Sequence, residues 1–123
     1  MTELKEEKIT VIYFSGNKKE WTAWEEKFLA RAKRRGYKNV LLGKETIPKE
    51  SEVIDETTDE GKKKMKIKET NELAYSDLII SIDTSKATGR NVLNLIRSSK
   101  SNDYPDGNAA VAWKGLLKKF AST

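Results

Sequence analysis

The chain has 123 residues, enough for one domain of ordinary size and too few for two. Charged residues make up 35% and apolar residues 37%, so a modest core lies under a heavily solvated surface, and the net charge of +5 is a mild excess rather than a dedicated nucleic-acid stripe. Cysteine and histidine are both absent, which excludes disulfide scaffolds, thiol nucleophiles, Ser-His and Cys-His hydrolysis, and cysteine- or histidine-based zinc sites.

Residues 1–8 form a charged lead expected to be flexible, and residues 9–123 are expected to make the domain. No stretch resembles a signal peptide or a membrane span, so the sequence predicts an intracellular, cytoplasmic, soluble protein. Residues 9–14 (ITVIYF) are β-branched and aromatic and are predicted extended. Asn17 is then placed to cap a helix, with Glu20 completing a capping box. Trp21, Trp24, Phe28 and Ala32 recur at steps of three and four, with Leu29 beside them. They make one apolar face, opposite Lys19, Glu26, Lys33 and Arg34. Gly36 supplies the stop, and Arg31, Arg34 and Arg35 suit the negative end of the helix dipole.

Residues 37–42 are a short apolar element, either a helical turn or a strand. Residues 43–58 form a polar connection broken by Pro48, with Ile47, Val53 and Ile54 expected to pin it to the body. Thr57 and Glu60 resemble a second capping box. A long helix follows over about 59–82, with Ile67, Asn71, Ala74, Leu78 and Ile82 on one stripe and Tyr75 and Ile79 flanking it. Asp83, Thr84 and Ser85 break the chain and supply a cap. The next helix covers about 88–99, with Val92, Leu95 and Ile96 inward. Residues 101–108 are dense in turn formers, and Asp106 is placed to cap the last helix, whose inward stripe is Ala109, Trp113, Leu116, Leu117 and Phe120. The expected fold is all-α, a bundle of about four or five helices with a short extended N-terminal segment. A rival pattern makes ITVIYF, NVLLG and DLIISID parallel strands of a flavodoxin-like nucleotide-binding domain. It places a phosphate-binding turn at Ser15-Gly16-Asn17, but the G-x-G-x-x-G and Walker A patterns are missing.

Two tryptophans three residues apart predict the nucleus of a core, since each buries on the order of 150–250 Å² there. The competing use is a stacking platform for a sugar or base. The acidic residues form no calcium-loop pattern, and the serines lack a base, so no catalytic residue, metal ligand or cofactor is assigned. Two basic clusters, Lys33-Arg34-Arg35 and Lys62-Lys63-Lys64, make a possible basic surface. Acidic residues lie near both in sequence.

The run F-S-G-x-x-x-x-W-x-x-W (Phe14, Gly16, Trp21, Trp24), followed by EEKFLARAKRRGY, resembles the Gag polyprotein of copia-type LTR retrotransposons. NELAYSDLIISID at 71–83 and YPDGNAAVAWKGLLKKF at 104–120 look similar to the same family. The resemblance covers about residues 9–120, and the order and spacing of its motifs carry it. It implies a helical N-terminal capsid lobe, a structural protein that assembles with other Gag copies into virus-like particles enclosing RNA. It also implies a shared motif core of Phe14, Gly16, Trp21, Trp24, Phe28, Tyr75, Leu78, Trp113, Leu117 and Phe120. A second capsid lobe and a Cys/His zinc knuckle are not in this sequence, so RNA packaging is expected of other Gag regions; the alternative that the resemblance implies is a Gag-derived lobe reused as a peptide- or RNA-binding module. No enzymatic activity is expected.

Overall fold

Apolar residues at steps of three and four share a face only on a helix. The computed structural model, which describes residues 12–121, is built from such helices. In chain order they are α1 (Trp21–Arg35), α2 (Lys38–Leu41), α3 (Asp59–Ile80), α4 (Ala87–Arg97) and α5 (Ala109–Leu116). A 3₁₀ turn, Lys18–Glu20, leads into α1, and a π turn, Leu117–Ala121, follows α5. The predicted lead at 1–8 and the first residues of the predicted extended segment lie outside the described residues.

The described residues contain no β-strand; their one β-bridge is isolated and joins Phe14 to Ile82 in parallel. The Phe14 N–H donates to Ser81 O, and Asp83 N–H donates to Phe14 O. The extended segment is therefore a strap over the end of α3. The flavodoxin-like pattern fails here because NVL belongs to α2 and DLII to α3. Short apolar runs do not distinguish helix from strand, and packing on an existing helical core settled these two.

Several predicted caps are displaced. Asn17 accepts from Lys19 N and caps the 3₁₀ turn, while the Glu20 carboxylate accepts from Ser15 Oγ at 2.8 Å, so no reciprocal box forms. Thr58, not Thr57, caps α3 by accepting from Gly61 N; Thr57 instead bonds Asp55. Asn108, not Asp106, caps α5 by accepting from Val111 N. Asp83 accepts from Ser85 N but does not cap α4, whose N-cap is Lys86 without a side-chain bond. Neighbouring Ser, Thr, Asn and Asp residues are nearly equivalent cap formers, so the pattern fixes a cap only to within a residue or two. Helix α1 ends at Gly36 as expected, with a left-handed φ of 85°.

The core is shared by all the helices and is mostly aromatic. Phe14, Trp21, Trp24, Phe28, Tyr37, Tyr75, Trp113 and Phe120 are all buried in it, with Leu41, Leu78, Val92, Ile96 and Leu116. Ile47 of the 43–58 connection is buried and Ile54 half-buried, but Val53 is 94% exposed and does not pin the loop. Glu52 on one side holds Lys64, and Asp55 on the other closes the turn with Thr57. Polar contacts anchor that part of the loop, which leaves Val53 pointing outward.

Candidate functional site

The aromatic cluster is the first place to look for a ligand box. Trp21 stacks on Phe120 with centroids 5.6 Å apart, Phe14 on Trp24 at 5.0 Å, and Phe28 on Trp113 at 5.5 Å. Phe14 meets Phe120 edge-on at 4.9 Å, and Trp21 lies 5.5 Å from Trp24. Each tryptophan is at most 3% exposed. Their faces are covered by other rings of the same chain, so Trp21 and Trp24 present no open platform for a sugar or base. The Trp24 indole N–H donates to Ile12 O at 3.2 Å.

The other residues singled out from the sequence fall around this cluster. Gly16 has φ +89°, and a Cβ there would sit 2.6 Å from Thr88 O. Only glycine fits where the entry turn presses on α4, and Thr88 Oγ1 adds a hydrogen bond to Ser15 O. The Ser15-Gly16-Asn17 turn is thus occupied by protein contacts. Leu78 is fully buried, and Leu117 packs half-buried against the core. Tyr75 is buried with its ring against Gly107, whose φ is +102° and whose added Cβ would lie 2.5 Å from that ring.

Two polar constellations went unassigned in the sequence. Asp77, 5% exposed on α3, accepts the Tyr37 hydroxyl at 2.7 Å and lies 2.7 Å from Arg35 Nε. Burial and the Asp77 carboxylate push the Tyr37 phenol well above its ordinary range. Asn71, also on α3, donates to Gly107 O at 3.1 Å and accepts from Ala109 N at 2.8 Å. It therefore ties the start of α5 to α3. The signal in the sequence was a polar residue on an otherwise apolar stripe, which Asn71 provides. Asp77 gave no comparable signal, because its partners arrive from α1 and the turn after it.

The Tyr37 environment yields a pH prediction. The fold favours the neutral phenol, so the unfolded chain gives up this proton first once pH exceeds about 10. Stability from this group is fully present below that pH and is lost as pH rises through the raised folded value. Melting temperatures should fall from about pH 9 to about pH 11, and Tyr37→Phe should be less stable at neutral pH but show a shallower alkaline fall. Parallel slopes for the two proteins would disprove the coupling.

The basic clusters are not brought together. Arg35 is held by Asp77, whereas Lys64 makes a 2.7 Å ion pair with Glu52 at the far end of α3. The Lys64 ammonium holds the Glu52 carboxyl below its usual range. Among the described residues no group of three or more carboxylates is placed to hold a metal ion. A shallow depression lined by Ile47, Pro48, Lys68, Asn71, Tyr104 and Gly107 has room for about one water molecule. No described helix is long and apolar enough to cross a membrane. Compared with protein-family models, with curated proteins and with solved structures, the chain matches none.

Proposed function

We propose that this chain is a structural capsid lobe of the Gag type found in copia-type LTR retrotransposons. Its work is self-association with other copies, in the cytoplasm, as part of a virus-like particle. The observation that carries the reading is a convergence. Phe14, Trp21, Trp24 and Phe28 come from one end of the sequence and Trp113 and Phe120 from the other, yet they share one ring cluster. Gly16 keeps the entry turn against α4. The spaced motifs of the family resemblance thus correspond to one packing unit. The surface adds further support. Val111 on α5 is 53% exposed, and Val53 stands out of the 43–58 loop. Isolated apolar groups of this size suit small, weak contacts, which many copies make strong through avidity.

Sedimentation velocity over a concentration and salt series tests the proposal. The domain should be a monomer or weak dimer at micromolar concentration and associate further when concentrated, each contact burying less than about 1,200 Å². Added salt should promote association, because it screens the repulsion between copies carrying +5 each. A strict monomer at millimolar concentration in both low and high salt overturns the proposal. So does saturable binding of a short peptide or RNA with no change in association state, which marks a binding module.

A further inference from the structure

Asp106-Gly107 is the one step in the chain where an aspartate or asparagine precedes glycine. Such a step carries a spontaneous reaction of its own. The glycine amide nitrogen attacks the aspartate Cγ. The carboxyl loses its hydroxyl, which leaves as water with the amide proton, and a five-membered succinimide joins the two residues. Water then reopens the ring. Attack at the original Cγ restores aspartate. Attack at the main-chain carbonyl leaves the main chain running through Cβ and Cγ, which is isoaspartate, one backbone atom longer and unchanged in mass. Glycine permits the first step because no Cβ shields its nitrogen.

The fold requires glycine at 107 and then holds it still. Its φ of +102° and the Tyr75 ring, 2.5 Å from where a Cβ would sit, leave no room for another residue. Tyr104, Pro105, Asp106 and Gly107 form a β-turn closed by the Gly107 N–H, which donates to Tyr104 O at 3.0 Å. The nitrogen that must attack is therefore already committed as a donor. The peptide units after it are pinned as well. Gly107 O accepts from Asn71 at 3.1 Å, Asn108 N–H donates to Ser99 Oγ at 3.1 Å, and Ala109 N–H donates to Asn71 at 2.8 Å. Asp106 is exposed, whereas Gly107 is buried. The carboxyl thus stands in water while its attacker is fixed in the protein.

We propose that Asp106 is a site of spontaneous isomerisation to isoaspartate, closed in the folded domain and opened when the turn releases from α3. The product works against refolding. Its extra backbone atom comes directly before Gly107, which is held on one side by Tyr104 O and on the other by Asn71 and the Tyr75 ring. A longer link does not keep all three contacts, so the start of α5 loses its anchor and the modified chain opens more readily. The step is thus a one-way record of opening at this turn. It stands independently of the assembly reading.

Peptide mapping by mass spectrometry tests it, on protein aged in warm, mildly acidic buffer, either folded or unfolded in guanidinium chloride. The step lies in the tryptic peptide 101–114. Its isoaspartyl form has the same mass, elutes separately and is assigned to position 106 by backbone fragmentation. It should accumulate at least about tenfold faster in the unfolded chain, since a pinned segment reacts only in its open fraction. In folded Asn71→Ala it should form at least about tenfold faster than in the folded unsubstituted protein, because the turn loses an anchor. Asp106→Glu, whose longer side chain closes a six-membered ring only slowly, should form none at this position. After ageing in the unfolded state and refolding, the isomerised protein should melt about 5 °C or more below its unaged form, and Asp106→Glu treated alike should not. Equal rates in folded and unfolded protein overturn the proposal, as does an absence of isomer in both. So does Asn71→Ala that circular dichroism shows folded yet that reacts no faster, or an isomerised protein that melts like the unaged one.

Discussion

Trp113→Ala should lower the unfolding free energy by about 3–5 kcal/mol, the range for truncating a buried large aromatic. Trp113 is the largest of the fully buried side chains, at 2% exposure. Its ring lies 5.7 Å from Trp21, 5.9 Å from Trp24 and 5.5 Å from Phe28. Removing it opens a void between α1 and α5 that neither helix is able to close without losing its other contacts. A domain of this size has on the order of 5–15 kcal/mol in total, so a large fraction goes with one side chain. Trp24→Ala should behave similarly, since that ring touches Phe14, Phe28 and Trp113. Chemical denaturation followed by circular dichroism measures both. An unchanged midpoint for Trp24→Ala would return the ligand-box interpretation to consideration.

Asn71→Ala should cost about 2–4 kcal/mol, although it removes only a small polar side chain. Two main-chain groups lose their partner at once, the Gly107 carbonyl and the Ala109 N–H. Ala109 is fully buried, so water does not replace the bond to its N–H, and Gly107 lies against the Tyr75 ring at the edge of a depression with room for about one water. Each buried group left unpaired costs about 1–3 kcal/mol. Asn71→Asp separates the two bonds. It keeps an acceptor for the Ala109 N–H but sets a carboxylate oxygen against the Gly107 carbonyl. It should therefore also be destabilising, and more so at neutral pH than near pH 4, where an ordinary carboxyl begins to protonate. Denaturation midpoints at about pH 4 and about pH 7 test this. A midpoint unchanged in Asn71→Ala would show that the start of α5 does not depend on α3.

Much of the fold is legible in the sequence. Trp21, Trp24, Phe28 and Ala32 share a face only if α1 is helical, and Ala109, Trp113 and Leu116 do the same for α5. The stripe of Ala74 and Leu78 located α3, and that of Val92 and Ile96 located α4. The all-helical class followed from these repeats. The strap at Phe14 was readable as extended but not as paired, because its partners at Ser81 and Asp83 lie far along the chain.

Periodicity marked α1, α3, α4 and α5 as helical and picked the apolar face each buries, whereas α2 and the strand-like end of α3 were settled by packing. Periodicity is a local property, and burial of a continuous stripe is the only way to remove it from water. Tertiary structure alone decided the polar architecture. Tyr37 and Asp77 are 40 residues apart, and Asn71 and Ala109 are 38 apart. Such bonds form only after packing has brought the helices together, and the local pattern has no term for them. The same holds for charge. Both basic runs lie near acidic residues in the sequence, yet the carboxylates that pair with them are Asp77 for Arg35 and Glu52 for Lys64, each brought up from another part of the chain by packing.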